Sequence, residues 1–482
     1  MKEPVTEADP LMNGENSTRP RLARLWKFGG FGVLGLIALA FCIGVVLLHA
    51  RKQKQRAWLE IQQRLDALHA AGEPLTTDDL AKLYPDPPPE KDAKLLLAPA
   101  VAALREPEDS SNVPLLGGGE LPPETQRITL EMRTNIEAIL TDNQTALNAL
   151  PWDQIKNAWV GSGFALGVID MPHDNPHPAL VLARMLYLKA VLEAESGNGT
   201  KAGESLIHSL ALVHTFRSEV LLHHAVRRSG EALFCEILER VINQAEVSAA
   251  DLATLEHFLS DDHADGFRDA LMSVRCLDIW GMTTARALPN SALSPHRIGE
   301  SQLEAALKST FYGPVLRLSG KIYLDAEFSE ILDVRSAQIA ALRLPPKQRF
   351  GEFIRLKSQL ASEARRSTLA SELVAPLDLS KAFRSDSERL AKLQVCRVGL
   401  EIERWRRAHV GRAPDSLAEL VPEFAPSIPL DPFDNNPLRY KKLPRGFIIY
   451  SIGPDFVDDG GKGKTGDAAE SDRYDITFSI VR

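Results

Sequence analysis

Three kinds of hydrophobic period follow one another along the chain. From Phe28 to Leu48 no charged residue occurs, and the stretch matches the ~20 residues a helix needs to cross a ~30 Å hydrocarbon core. A helix satisfies its own backbone in lipid, so the segment predicts one transmembrane anchor. The end of the stretch, Leu47-Leu48-His49-Ala50, lacks a small-x-small cleavage pattern, which favours an uncleaved signal anchor. Trp58, Ile61, Leu65 and Leu68 then recur at helical spacing until Gly72-Glu73-Pro74, predicting a helical stalk.

From Glu124 to Leu393 the pattern is helix after helix. The apolar run Leu180 to Leu192, a turn at Gly197 to Gly199, and a face of Leu206, Ile207, Leu210 and Val213 predict an antiparallel helical hairpin. Further helices are expected at about Val220 to Gln244, Ala249 to Leu259, Asp265 to Thr284 and Ala326 to Leu342, with Pro345 and Pro346 breaking the chain before another. The pairing is similar to tetratricopeptide stacks, but no second copy stands at the ~34-residue period of such repeats. A compact bundle is the expectation.

Near Asp386 a last long helix begins, with Ala391, Val395, Val398, Ile402 and Trp405 on one face. Gly411 stops it, and Ser416 with Glu419 forms a capping box for a short helix to Leu420. The period then changes to that of strands at Leu438 to Lys441, Phe447 to Ile452 and Ile476 to Ile480, with a hairpin loop at Lys442 to Gly446. The fold class is mainly α, ending in a small α+β unit of one long helix and an antiparallel sheet.

Punctuation completes the division. Residues 1–27 read as a disordered polar tail, 28–48 as the anchor, 49–123 as stalk and Pro/Gly-rich linker or wrapping segment with a short helix at Lys94 to Leu104, 124–385 as the helical domain, and 386–482 as the α+β domain. A content of 44% apolar and 25% charged residues is that of a folded chain. The net charge of −8 and the lack of a basic domain argue against a nucleic-acid partner. Flanking charge leaves orientation open, because Arg19, Arg21, Arg24 and Lys27 are balanced by Arg51, Lys52, Lys54 and Arg56. Cys42 lies in the anchor; Cys235, Cys276 and Cys396 sit in apolar helical segments without metal-site spacing, so burial or a single disulfide is expected.

The motifs GRAPDSLAELVPEF, DPFDNNPLRY and FIIYSIGPD, followed by GG and DI, resemble the major pseudopilin of bacterial type II secretion over residues 390–482. The whole chain resembles large bacterial membrane-anchored proteins ending in such a head. The resemblance implies an inner-membrane, single-pass protein with its C-terminal mass extracytoplasmic, near envelope or secretion proteins. It also implies a calcium site on Asp455 and Asp475, with Asp458, Asp459, Asp467, Asp472 and the carbonyls of Ser451 and Ile452 as further oxygens. Two departures matter: Tyr474-Asp475 replaces a pair of acids, and Gly35 stands where a processed pilin stem carries Glu. The anchor is therefore expected to be permanent.

No catalytic constellation emerges from spacing. His173, Asp174 and His177 have no second ligand cluster to complete a metal site. His223 and His224 point apart on a helix and suit packing or surface roles. Gly463-Lys464-Thr465 lacks the leading Gly of a phosphate loop, and Gly161-Ser162-Gly163 lacks the outer spacing of a nucleophile elbow. The expectation is a non-enzymatic, membrane-anchored scaffold or binding protein. The alternatives are an envelope enzyme whose site is assembled from distant helices, and a pseudopilus component.

Overall fold

The computed structural model describes residues 55–107, 111–167, 175–260, 266–287, 324–364, 379–463 and 474–482, with isolated positions between 41 and 53. The expected tail, nearly all of the expected anchor, and His173, Asp174, Asp467 and Asp472 lie outside them. Among the described residues no helix is long and apolar enough to cross a membrane. Residues 1–64 and 65–482 form two compact units.

The second unit is mainly helical with one three-stranded antiparallel sheet. Its principal helices are α1 (Thr77–Leu83), α2 (Ala93–Ala103), α3 (Leu130–Asp142), α4 (His177–Glu195), α5 (Gly199–His214), α6 (Leu221–Gln244), α7 (Ala249–Ser260), α8 (Gly266–Ala287), α9 (Leu324–Ala341), α10 (Pro346–Ala364) and α11 (Leu379–Ala408). Helices α4 and α5 pair as the expected hairpin, capped by the Asn198 side chain on Lys201 N. Helix α6 crosses both and also packs on α8 and α11.

The Pro-rich stretch is a wrapping segment with buried residues of its own. Leu80, Leu97 and Val113 are all buried, and the carbonyls of Pro122 and Gln126 accept from the Arg240 guanidinium on α6. Glu195, at the end of α4, accepts from Ile128 N at 2.6 Å and from Arg133 at 2.8 Å. Side-chain anchors of this kind hold a segment whose prolines cannot join a helical ladder.

In the C-terminal region β1 (Arg439–Leu443), β2 (Gly446–Ser451) and β3 (Ile476–Ile480) lie in the order β1-β2-β3. The register Phe447↔Ile480, Ile449↔Phe478 and Ser451↔Ile476 puts all six residues on one buried face, as strand alternation requires. The hairpin is tighter than expected: Leu443 pairs with Gly446 across Pro444 and Arg445 alone. Gly446 permits this with φ +107°, and a Cβ there would fall 1.7 Å from the Ile480 carbonyl oxygen. The capping box at Ser416 and Glu419 forms as expected.

The expected face of α11 (Ala391, Val395, Val398, Ile402 and Trp405) is buried and continuous with the core of α4, α5, α6 and α7. Gly399 lets the helix approach the sheet, since a Cβ would sit 2.4 Å from Phe478. Strand β3 is also bonded to α6: Glu239 accepts from Ser479 N at 2.8 Å and Oγ at 2.7 Å, and Asn243 accepts from Val481 N at 2.8 Å. One core therefore serves helices and sheet together.

Burial pushes the Glu239 carboxyl up to about 7, the two Ser479 hydrogen bonds offsetting only part, with Glu124 raising and Lys392 lowering it further. The folded value exceeds the unfolded one, so the native state holds the extra proton and stability falls as pH rises through that interval. Glu239→Gln, which mimics the protonated acid, is expected to raise stability above about pH 7 by on the order of 1 kcal/mol, with little effect in mild acid. Urea titrations at both pH values check this. Equal effects at both would contradict it.

Candidate functional site

Three segments distant in sequence are stitched by their backbones. Trp159 N donates to Lys91 O at 3.0 Å, Ala93 N to Trp159 O at 3.1 Å, and Val160 N to Thr215 O at 2.8 Å. Asp86 secures the same corner by accepting from Gly163 N at 2.9 Å. The result places Lys91, Lys156 and Trp159 opposite the turn between α5 and α6. There Arg217 lies over the Trp159 ring with its guanidinium carbon 3.8 Å from the centroid, a cation–π contact.

Between these segments opens a cleft of about 590 Å³, within the range of small-molecule sites. Its wall includes Tyr84, Lys91, Lys156, Trp159, Arg217, Glu219 and Asp269, with His214, Arg227 and Phe258 also contributing. The Tyr84 hydroxyl hydrogen-bonds Asp269, and its pKa is raised by burial and then by the charges of Asp269 and Glu219. Burial raises the Glu219 carboxyl, opposed by its own backbone N–H and by Arg217. Burial in turn lowers the Arg217 guanidinium, with Glu219 opposing.

Behind the cleft runs a buried ionic chain. His214 Nε2 is 3.0 Å from Glu231 Oε1, to which Arg227 Nε donates at 2.8 Å. Glu231 Oε2 accepts from Arg389 Nη1 at 2.9 Å, and Arg389 Nε donates to Asp386 Oδ1 at 2.9 Å. His224 Nε2 closes the chain 3.1 Å from the same Asp386 oxygen. Burial alone would raise the Glu231 carboxyl, but Arg389 and Arg227, then His214, outweigh it and hold it well below the usual range. Asp386 is likewise lowered, burial being outweighed by Arg389 and His224. Two carboxylates and two guanidiniums thus neutralise one another where solvent cannot.

Arg227 has a donor left open. Arg227 is 5% exposed, and its buried Nη2 has no hydrogen-bond partner among the described residues. Glu231 is fully engaged and cannot turn toward it.

Spacing did not point to this cleft, because its residues come from positions 84 to 269. A partial signal was present on α6, where Glu231 precedes Phe234, Cys235 and Leu238 on an apolar face. A charge at that place asks for a buried partner. His224, expected to pack or face solvent, is buried against Asp386 and lies 5.5 Å from the Phe267 ring. His177 is exposed beside Glu106 at 3.1 Å.

The described residues of the expected calcium loop take part in hydrogen bonds within and beside it. Asp475 accepts from Gly461 N at 2.6 Å, Lys462 N at 3.2 Å and Asp459 N at 3.4 Å, so its carboxylate organises the loop. Asp458 caps Gly460 N and approaches Arg439 at 3.9 Å. The Ser451 hydroxyl and Ile452 N both donate to Asp431. Asp455 accepts from Val457 N, and its buried Oδ2 has no partner among the described residues. Among the described residues no group of three or more His, Cys, Asp or Glu side chains converges to hold a metal. Cys235, Cys276 and Cys396 are buried free thiols.

No family model, no curated protein and no solved structure matches the chain.

Proposed function

We propose that this chain is a membrane-anchored, extracytoplasmic binding protein whose helical domain takes a small polar ligand in the cleft, backed by a pseudopilin-like C-terminal unit. The observation that carries the binding role is the convergence of ionisable groups from the segment before α2, the α5–α6 turn, α6 and the first turn of α8 on one cavity of about 590 Å³. Concave sites with a few converging polar groups are the usual form of small-molecule recognition. The anchor and its orientation are carried by the uncharged run Phe28 to Leu48 and by the resemblance of the last ~90 residues. Helix α11 gives the C-terminal unit a part in the binding role, because Arg389 and Asp386 brace the carboxylate that holds Arg227. Envelope or secretion proteins are the partners such a location offers.

The test compares the full chain with Asn157→Trp, which places a bulky ring at an exposed position of the cleft wall. Both are purified from membranes in mild detergent and denatured, and released small molecules are identified by mass spectrometry. A molecule released by the wild type and absent from the variant, at equal melting temperature, supports the reading. No released molecule, or equal release from both, overturns it. Protease added to spheroplasts should digest the C-terminal mass; protection would overturn the orientation.

A further inference from the structure

We infer that the cleft is built to seat an anionic oxygen group, a carboxylate or phosphate, against the free edge of Arg227 with Arg217 beside it. The inference rests on the reading of the cleft as a ligand site and adds the chemistry of the ligand.

Arg227 is fixed by the ionic chain behind it. Its Nε is committed to Glu231 Oε1, while Glu231 Oε2 is committed to Arg389. Rotating Glu231 to reach Nη2 would break its bond to Arg389 Nη1 and leave Arg389 with Asp386 alone, so the network favours leaving that donor open. Leaving a buried cationic donor unpaired costs more than an ordinary hydrogen bond returns, and native proteins leave few such atoms without a reason. An incoming oxygen would complete the guanidinium, and a planar fork suits an oxyanion better than a neutral carbonyl.

The surroundings agree in sign. Lys91, Lys156 and Arg217 join Arg227 on the wall, against the carboxyl groups of Glu219 and Asp269. Asp269 is engaged with Tyr84, and burial works against ionisation of Glu219. A chain of net charge −8 thus brings several cationic side chains to one recess, where low-dielectric walls strengthen their field. The stacked pair of Trp159 and Arg217 adds a flat wall for whatever carries the anion.

The experiment uses the full chain in detergent at constant ionic strength, with inorganic phosphate and succinate as probes. Thermal melting reports binding by mass action. The variants are Arg227→Lys, which keeps a cation for Glu231 but removes the forked edge, and Arg217→Gln, at a partly exposed position. Millimolar phosphate or succinate should raise the wild-type melting temperature saturably, with apparent affinity about tenfold weaker in each variant, equivalent to 1.4 kcal/mol. The probe that acts identifies the group as phosphoryl or carboxyl. If neither probe shifts the wild type, or if both variants respond as it does, the anion seat is overturned. Should the ligand released from the wild type prove neutral or cationic, this inference fails while the binding role stands.

Discussion

Arg389→Met is expected to destabilise the fold by about 3–5 kcal/mol, the cost of breaking a buried ionic pair from one side. Arg389 is 3% exposed and stands between two carboxylates, Glu231 at 2.9 Å and Asp386 at 2.9 Å. Methionine fills much of the volume, so the loss measures charge more than packing. After the change Glu231 keeps Arg227 and His214, but Asp386 is left with His224. The pH dependence identifies the cause. In the wild type both carboxyls titrate below their unfolded values, so the stability they contribute is complete above about pH 4.5 and is lost as pH falls through the folded values. In the variant that depression is smaller, and protonation relieves the less compensated charge. The gap between the two proteins should be wide near pH 7 and narrow near pH 4. Urea unfolding followed by far-ultraviolet circular dichroism at the two pH values measures it; a gap below about 1 kcal/mol, or one independent of pH, would contradict the arrangement.

Asp431→Ala is expected to cost about 3 kcal/mol and to loosen the sheet selectively. This side chain, 1% exposed, gathers four donors: Phe433 N at 2.9 Å, Ile452 N at 2.9 Å, the Ser451 hydroxyl at 2.8 Å and Arg439 at 2.6 Å. It joins the loop before β1 to the end of β2. Alanine would strand buried donors that water cannot reach, which is costlier than the bonds themselves. Asp431→Asn keeps one acceptor oxygen but loses the charge opposite Arg439, and should fall between the two. Hydrogen exchange is the discriminating measurement: amides of Gly446–Ser451 and Ile476–Ile480 should exchange faster in the variant while those of α4 and α5 hold their protection. Uniform acceleration throughout the chain would show that Asp431 does not act locally.

The two substitutions separate what was legible in the sequence from what was not. Asp431 sits in the DPF motif that carries the pseudopilin resemblance, and the strands around it were readable from the apolar run Phe447 to Ile452 and the alternation of Ile476, Phe478 and Ile480. The helices were readable for the same reason: α6, expected at about Val220 to Gln244, is Leu221–Gln244, and α9, expected at about Ala326 to Leu342, is Leu324–Ala341. Both periods are local. Arg389 belongs to another kind of information, since its partner Glu231 lies on a different helix and the cleft in front of them is assembled by the Lys91–Trp159 and Val160–Thr215 backbone bonds. No spacing rule connects such positions. The acidic loop shows the converse: backbone N–H groups and Arg439 account for most of the described contacts of the Asp455, Asp458 and Asp475 carboxylates. Composition disclosed the carboxylates and could not disclose their hydrogen bonds.

The separation of 158 residues between Glu231 and Arg389 also orders events during synthesis. A ribosome makes α6 long before α11, so the carboxylate stands beside Arg227 on its own helix while its second cation, Arg389, is still unmade. Docking that helix early would bury Glu231 with Arg227 and His214 but without the second guanidinium that its Oε2 accepts from, an incompletely compensated charge that is costly away from water. The central helix is therefore expected to reach its full ionic complement only once the segment carrying Arg389 has been made, which ties completion of the bundle to the C-terminal unit.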